Sequence, residues 1–359
     1  MTLASPPLLS DSLPAPAPAF LARQGMAGVP VQGFVADAST RSYARLVGKD
    51  ALLMDDRHDP AGFAAYLAIS DHLNGLGLSA PRVLAADRDS CLALVEDFGD
   101  ATYARCLAEG EDEARLYQLA VDALLHLHHA PKGAALDRPV YDRAVHLDEL
   151  SVFSQWFAPA LRPEIDVAFF DTEFRRLWSE ALAPVDTRHD TLVLRDFHVD
   201  NLMLLSDRHG VARCGLLDFQ DAILGPCEYD LVSLLQDARR DLAPGLETQL
   251  LARYCAQAPA HLGGEAAIRH RYALLGAQRH ARILGVFLRL DRRDGKPRYM
   301  TFLPRVLAQF QKALDDAALT DIRDFLNTAL PGWTEAATRL APCSAPTEKT
   351  LQMNGSSDD

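Results

Sequence analysis

The stretch "LVLRDFHVDNLMLL", residues 192–205, places a short polar cluster between two apolar runs. The Leu and Val residues on either side predict two short buried strands. Charged groups between buried strands are costly to bury unless each is paired or takes part in chemistry. The cluster is therefore either a solvated hairpin whose side chains cap turns or a functional site. Its polar members are Arg195, Asp196, His198, Asp200 and Asn201.

The composition of the chain favours a small-molecule partner. Its 359 residues carry 49 acidic and 36 basic side chains, a formal net charge of −13, whereas surfaces that bind nucleic acid or anionic membranes carry a basic excess. We therefore expect no nucleic-acid partner and no membrane partner. The six cysteines include no C-x-x-C pair, which is typical of a reducing cytoplasm rather than of a disulfide framework or a zinc site. We expect a cytoplasmic monomer.

The hydrophobic pattern divides the chain into two structural units. Residues 23–99 alternate in a way that predicts five short strands and one helix, which covers residues 60–74. Residues 100–340 are dominated by helical periodicity, interrupted by a few short strands. A small β-rich unit followed by a larger helical unit is an α+β, bilobal plan.

The two ends of the chain differ from these units. Residues 1–22 are rich in proline and lack a basic segment of the kind that begins a signal peptide, so we expect a flexible N-terminal arm. Residues 341–359 contain too few apolar side chains to compensate for the entropy lost on ordering. We therefore expect a disordered tail there.

Three oxygen-bearing side chains follow the predicted strands at spacings that suit phosphoryl transfer. Asp196 and Asn201 lie in the polar cluster, and "GLLDFQD" places Asp218 at the end of another apolar strand, 22 positions after Asp196. In transfer from a nucleotide to a hydroxyl, one carboxylate accepts the hydroxyl proton, while an amide oxygen and a second carboxylate hold Mg²⁺ across the phosphates. Hard oxygen ligands favour magnesium over zinc.

The segments "LRDFHVDN" and "LLDFQD" resemble the catalytic loop and the metal-binding Asp of the aminoglycoside phosphotransferase and protein-kinase-like superfamily. The resemblance implies a bilobal protein-kinase-like fold, with a small five-stranded N-lobe and a larger, mostly helical C-lobe, that binds ATP and Mg²⁺. It assigns Asp196 as the catalytic base, Asn201 and Asp218 as magnesium ligands, and Asp230 as a residue that holds the catalytic loop in place. The segment "LVEDFG" would be the hinge, where backbone groups of Glu96, Asp97 and Phe98 meet adenine.

The nucleotide side departs from the superfamily pattern. Met54 stands where the phosphate-binding Lys is expected, and the helix over residues 60–74 contains no Glu to pair with such a Lys. The turn "DASTR" lacks glycines, yet it lies upstream of the catalytic segments, where a phosphate-binding loop is expected. Candidates for nucleotide contacts are therefore Ser39, Thr40, Arg41 and Arg45, and either arginine could supply the missing positive charge.

Segments outside the catalytic core, such as "YDRAVHLDELSVFSQWF" and "GVFLRLDRRDGKPRYM", look like those of the anomeric sugar kinases of peptidoglycan recycling. Those enzymes phosphorylate the C1 hydroxyl of N-acetylmuramate and N-acetylglucosamine, so the resemblance implies an amino-sugar acceptor. A kinase for an aminoglycoside or another small hydroxylated molecule would share every core residue. The remaining alternative is a catalytically silent pseudokinase scaffold, which the loss of the Lys at Met54 suggests.

Candidates for acceptor contacts combine aromatic, acidic and basic side chains. A planar guanidinium matches the lactyl carboxylate of N-acetylmuramate through two parallel hydrogen bonds, whereas a cationic aminoglycoside would need carboxylates. Each candidate also has a structural alternative, because surface arginines are mostly solvated, a histidine can pack within its loop, and an Asp can cap a helix. The candidates are Arg195, His198, Tyr141, Asp142, Asp237, Arg239 and Arg279.

Overall fold

The computed structural model describes residues 8–10, 13–34 and 41–341. The smaller lobe, the N-lobe, contains the strands β1 (Leu8–Leu9), β2 (Pro30–Gly33), β3 (Ser42–Leu46), β4 (Ala51–Asp55), β5 (Val83–Asp87) and β6 (Leu92–Glu96). They form one antiparallel sheet in the order β1-β2-β3-β4-β6-β5. The five predicted strands are present, and β1 is an additional strand at the edge of the sheet.

Part of the predicted N-terminal arm is ordered, which corrects the expectation for residues 1–22. Helix α1 (Ala17–Arg23) buries Phe20 and Leu21 in a small core on the sheet, together with Val31 and Leu46. Burying these side chains removes apolar surface from water, which favours the ordered helix. Residues 1–7 and 11–12 of the arm, and residues 342–359 of the predicted tail, lie outside the described residues.

The predicted N-lobe helix is α2 (Pro60–Gly75). It begins at Asp59, whose side chain accepts a hydrogen bond from the Gly62 N–H at 2.8 Å, and Pro60 suits the first turn because its missing N–H needs no partner there. Phe63, Ile69 and Leu73 are fully buried on the side of the helix that faces the core. The helix therefore covers the other face of the sheet from α1.

The larger lobe, the C-lobe, is mostly helical and contains two short hairpin-like strand pairs. Its helices are α3 (Tyr103–Ala108), α4 (Glu113–His129), α5 (Arg143–Val152), α6 (Ala158–Leu161), α7 (Val167–Ala181), α8 (Glu228–Leu235), α9 (Leu246–Gln257), α10 (Glu265–Arg292), α11 (Leu303–Asp316), α12 (Thr320–Ala329) and α13 (Trp333–Thr338). Its strands are β7 (Thr191–Val193), β8 (Leu202–Leu204), β9 (Cys214–Leu216) and β10 (Ile223–Gly225). Strand β7 pairs with β10, and β8 pairs with β9, both antiparallel.

The long helix α10 lies against α5, α8, α11 and a π-helical segment, Phe153–Phe157, that continues α5. Gly285 lets the two backbones approach, because a Cβ on this residue would lie 2.4 Å from the Val152 carbonyl. A π-turn of this kind is rare and is often found at functional sites. The contact fixes the side chains of α5 and α10 relative to the catalytic loop.

The two lobes contact each other directly beside the hinge. The Ser79 hydroxyl donates to the Ala212 carbonyl at 2.6 Å, and the Leu216 N–H donates to the Ser79 carbonyl at 2.7 Å. Glu96 at the end of β6 is paired with Arg82 of the N-lobe and Arg208 of the C-lobe. The bilobal α+β architecture that the sequence predicts is confirmed.

None of the helices in the described part of the chain combines the length and the apolar content needed to cross a lipid bilayer. The cysteines in this part of the chain are free thiols. They are Cys91, Cys106, Cys214, Cys227 and Cys255.

Candidate active site

The polar cluster of residues 194–201 connects strand β7 to strand β8 and lies at the junction of the lobes. Asp230, in the first turn of α8, accepts hydrogen bonds from the N–H groups of Leu194 at 2.6 Å and Arg195 at 2.8 Å. Arg195 has a φ of +71°, a left-handed conformation that non-glycine residues rarely adopt. Burial raises the pKa of Asp230 to about 7, although these two N–H groups oppose the rise. Asp230 thus stabilises a strained loop.

The three predicted catalytic residues converge at this loop. The Asn201 side-chain amide donates to the backbone carbonyl of Asp196 at 3.0 Å and lies 3.4 Å from the Asp218 carboxylate. The backbone carbonyl of Asn201 accepts a hydrogen bond from the Leu217 N–H at 2.9 Å, which connects the loop to the end of β9. The Asp196 carboxylate is half-buried, and in the described part of the chain it accepts no hydrogen bond and forms no ion pair. It is therefore available to a ligand.

The donor set at Asn201 and Asp218 fits Mg²⁺. Magnesium is usually held by one or two carboxylates together with substrate phosphates and water, not by a complete cage of protein ligands. Asp218 is exposed, has a φ of +59° and directs its other oxygen toward the Gln220 amide at 2.9 Å. Among the described residues no group of three or more His, Cys, Asp or Glu side chains could enclose a metal. The geometry thus suits a metal bound jointly with a nucleotide.

On the nucleotide side, Arg41 occupies a buried position beside the catalytic loop. Its guanidinium donates to the Asp56 carboxylate at 2.9 Å and lies 5.4 Å from the centre of the Tyr66 ring. Tyr66 in turn stacks on Phe219, the residue after Asp218, at 4.9 Å. Met54 is fully buried in the core, so the expected Lys position presents no charge. Through Tyr66 and Phe219, Arg41 is thus connected to the segment that carries Asp218, and its contact with phosphate stays a prediction.

Tyr43 also connects Arg41 with the site. Burial raises the pKa of Tyr43 to about 12, the Arg41 guanidinium opposes the rise, and the Asp218 and Asp56 carboxylates add to it. Tyr43 is thus influenced both by the arginine and by the Asp218 carboxylate. The predicted phosphate contacts Ser39 and Thr40 lie outside the described residues.

Arg45, the other predicted phosphate-binding arginine, forms its contacts with residues in and beside the predicted hinge segment instead. Its guanidinium binds the Asp97 carboxylate through two hydrogen bonds of 2.5 and 2.9 Å and pairs with Asp100 at 3.0 Å. It also lies over the Phe34 ring, 5.2 Å from its centre. With its donors occupied in this way, Arg45 does not fit the predicted phosphate contact, because two carboxylates already neutralise its charge.

In the predicted hinge segment, one of the described residues has backbone N–H and C=O groups without hydrogen-bond partners. The Glu96 N–H donates to the Arg82 carbonyl at 2.9 Å, and the Asp97 N–H donates to the Asp50 carbonyl at 3.3 Å. Within the described residues the N–H and C=O of Phe98 have no hydrogen-bond partner. Of the three residues predicted to meet adenine, Phe98 is therefore the one that retains both a donor and an acceptor.

On the acceptor side, the structure changes the roles predicted for two neighbouring residues. Tyr141 is 0% exposed, its ring stacks on His146 at 3.8 Å, and its hydroxyl donates to Glu149. It therefore has no exposed face on which a sugar could stack, so the structure contradicts an acceptor contact through the Tyr141 ring. Asp142 accepts from the Val145 N–H at 3.0 Å and caps α5, which is the structural alternative.

The predicted substrate residue His198 packs within the loop. Burial and the nearby Arg239 lower its pKa, and its Nε2 lies 3.3 Å from the Asn201 amide. Arg239 pairs with Asp237 at 3.0 Å and with Asp200 at 3.2 Å. His198 thus orients Asn201, as the loop-packing alternative proposes, and a substrate contact for Asp237 and Arg239 stays a prediction.

Sequence reasoning missed the carboxylate that organises the basic side chains near Asp196. Glu149 of α5, whose side chain is 12% exposed, is paired with Arg195 and lies 3.7 Å from Arg282 of α10. Arg279, one turn before Arg282, is buried and donates to Tyr229 at 3.1 Å and Ser233 at 2.8 Å. Arg279, which was predicted to contact the substrate, therefore supports the loop through these hydrogen bonds to α8. Only the helical spacing of Gln278, Arg279 and Arg282 could have indicated this grouping.

The fold and site define a phosphotransferase, and residues 30–269 match the family model described as the phosphotransferase enzyme family. The chain belongs to that family. It is 35% identical over 364 residues to the N-acetylmuramate/N-acetylglucosamine kinase of Caulobacter vibrioides, covering 90% of this chain and 98% of that protein. It is 34% identical over 287 residues to the kinase of the same name from Neisseria meningitidis, covering 76% and 82%.

Solved structures with a similar fold have little sequence in common with this chain. An aminoglycoside phosphotransferase in complex with gentamicin superposes with a TM-score of 0.56 at 14% identity, covering 88% of this chain and 99% of that one. A choline/ethanolamine kinase family protein from Mesorhizobium loti gives a TM-score of 0.51 at 14% identity, covering 92% and 96%. These similarities support the bilobal kinase-like fold.

Proposed function

We propose that this protein is an ATP- and Mg²⁺-dependent kinase that phosphorylates the anomeric C1 hydroxyl of N-acetylmuramate and N-acetylglucosamine. The observation that carries the proposal is the unpaired Asp196 carboxylate beside the adjacent Asn201 and Asp218 side chains. The names of the relatives supply the acceptor. We further propose that the protein is a cytoplasmic, monomeric enzyme that acts in peptidoglycan recycling.

In the proposed reaction, Asp196 accepts a hydrogen bond from the C1 hydroxyl and orients its oxygen toward the γ-phosphorus. The oxygen forms a bond to phosphorus as the bond to the β,γ-bridging oxygen breaks, the proton passes to Asp196, and ADP leaves. Asn201 and Asp218 would hold Mg²⁺, which when bound neutralises the phosphate oxygens. Positioning supplies much of the rate enhancement in such a transfer, since the protein forms no covalent bond itself.

The charges around Asp196 favour an anionic acceptor over a cationic one. Arg195, Arg279 and Arg282 approach the loop, and Glu149 is already paired with Arg195. An aminoglycoside carries several ammonium groups, and these arginines would repel it. This arrangement argues against the aminoglycoside alternative and suits a sugar that bears a carboxylate.

A single experiment tests the acceptor and the position of transfer. The purified protein is incubated with ATP, Mg²⁺ and either sugar or a panel of aminoglycosides, ADP release is followed, and the product is examined by phosphorus NMR. We expect ADP release with the two sugars and the coupling pattern of a phosphate on C1. A C6 ester would overturn the anomeric assignment, and the absence of turnover with every acceptor would favour the pseudokinase.

Asn201 provides a prediction about magnesium. Replacing Asn201 with Ala removes the amide oxygen that would bind the metal, so the Mg²⁺ concentration for half-maximal activity should rise about ten-fold. Asn201→Asp keeps an oxygen ligand but loses the N–H donor to the Asp196 carbonyl, and its Mg²⁺ requirement should stay near the wild-type value. Magnesium titrations at saturating ATP provide the measurement. Equal impairment of both variants would assign Asn201 to loop support rather than to metal binding.

Arg41 provides a prediction about the nucleotide. We expect Arg41→Ala to raise the KM for ATP by about ten-fold, since a charge-assisted contact to phosphate is lost, while Arg41→Lys retains the charge and should recover part of the affinity. Arg57→Ala is the matched control, because this exposed N-lobe arginine pairs with Asp55. ADP-release kinetics at varied ATP supply the constants. An unchanged KM in a folded Arg41→Ala protein would remove Arg41 from this role.

A further inference from the structure

Arg282 lies where helix α10 passes the catalytic loop. Its side chain is 28% exposed, so it is covered on most sides but open to a ligand. Burial would lower the pKa of its guanidinium, but the neighbouring groups Glu149, Tyr229, Tyr141 and Asp196 together raise it. Arg282 is therefore a permanently charged group within electrostatic range of the proposed catalytic base.

Glu149, the one acid within ion-pair distance of Arg282 in the described part of the chain, already has other partners. One Glu149 oxygen receives the Arg195 guanidinium, and the other receives the Tyr141 hydroxyl and lies 3.5 Å from the Gln278 amide. The closest approach of Arg282 to Glu149 is 3.7 Å, beyond hydrogen-bond distance. Glu149 therefore attracts Arg282 electrostatically but accepts no hydrogen bond from its guanidinium.

The guanidinium of Arg282 consequently has donors to spare. A guanidinium carries five N–H donors in a planar fork, and Arg282 donates no side-chain hydrogen bond to any described residue. By contrast, Arg195 and Arg279 on either side of it are each hydrogen-bonded to protein groups. A partly exposed arginine with free donors beside the proposed acceptor site is suited to a planar anion.

We infer that Arg282 is a specificity-determining residue that binds the carboxylate of an anionic acceptor sugar while the sugar hydroxyl contacts Asp196. The inference rests on the proposed function and adds to it, because N-acetylmuramate carries a lactyl carboxylate that N-acetylglucosamine lacks. Two parallel hydrogen bonds between guanidinium and carboxylate give both affinity and orientation. The close approach of α10 to the π-helical segment at Gly285, one turn after Arg282, fixes the backbone from which this side chain extends.

The test compares the two sugars in one enzyme. We expect Arg282→Met to lower kcat/KM for N-acetylmuramate about ten-fold or more relative to kcat/KM for N-acetylglucosamine. Because Arg282 also lies near Asp196, both values can fall, and the ratio isolates the carboxylate. The methyl ester of N-acetylmuramate provides the reciprocal measurement: esterification should impair the acceptor in the wild type and have little effect in Arg282→Met. Arg282→Lys, which keeps a charge but no planar fork, should give an intermediate ratio.

Arg269→Met is the matched control, since Arg269 is on the same helix, is 37% exposed and pairs with Glu265. Its ratio should equal that of the wild type. If wild-type enzyme uses both sugars and Arg282→Met lowers them equally, the role of Arg282 is overturned while the proposed function stands. If the wild type phosphorylates neither sugar, the proposed function fails and this inference fails with it.

Discussion

Replacing Asp196 with Asn should lower kcat by about a hundred-fold or more, as expected when a general base is lost. The carboxylate of Asp196 has no partner among the described residues, so its removal leaves no buried group unpaired and should not disturb the fold. The dissociation constant for ATP should change little, because the proposed contact of Asp196 is with the acceptor and not with the nucleotide. ADP release at saturating ATP and calorimetric titration with nucleotide measure the two quantities.

Asp200→Asn is the matched control for this experiment. Asp200 lies in the same loop, is exposed and pairs with Arg239, and surface pairs of this kind contribute little. Its kcat should stay within about two-fold of the wild-type value. A nearly active Asp196→Asn enzyme would exclude Asp196 as the base, and a large loss in Asp200→Asn would indicate that any charge change in the loop is harmful.

Replacing Asp230 with Asn should lower the free energy of unfolding by about 1–3 kcal/mol, the cost of one unsatisfied buried donor. The two Asp230 oxygens accept from two consecutive N–H groups, whereas an Asn amide has one acceptor and would direct N–H groups at the other donor. Without this support the left-handed Arg195 can relax, and kcat should fall by about ten-fold or more because the base is misplaced. Urea unfolding and ADP-release kinetics give the two results.

Asp166→Asn separates this effect from a general effect of Asp substitution. Asp166 caps α7 by accepting a single hydrogen bond from the Phe169 N–H at 3.0 Å in an exposed position, and Asn caps helices as well as Asp does. Both stability and kcat should therefore be unchanged in this control. An Asp230→Asn protein as stable and as active as the control would show that the second accepting oxygen is dispensable.

The sequence could indicate the candidate catalytic residues because they lie in short contiguous segments. Asp196 and Asn201 share one loop, and the pairing of β8 with β9 brings Asp218 next to them. The local chemistry of these segments, apolar strands that end in carboxylate or amide side chains, is visible without tertiary information. The division into two lobes could be predicted for the same reason, since the change from strand to helix periodicity marks the boundary between them.

The partners of the arginines could not be predicted in this way. Arg45 binds Asp97 over 52 positions and Arg195 binds Glu149 over 46, so the choice of partner depends on how distant elements pack. The same reason applies to Tyr141, because a tyrosine before a helix can be exposed or buried until α8 and α10 cover it. Sequence therefore indicated which side chains carry charge near the site, and packing decided which of them remain available.

The ion pair of Arg41 with Asp56 has a consequence for control of the enzyme. In protein kinases the phosphate-binding Lys pairs with a Glu on the N-lobe helix, and movement of that helix turns the kinase on or off. Here the acidic partner directly follows strand β4, so both charges belong to the sheet and its adjoining segments. An outward movement of α2 would take the Tyr66 ring away from Arg41, but it would not by itself separate the two charges. Under the proposed function, we therefore expect the position of α2 to affect phosphoryl transfer less than it does in a protein kinase.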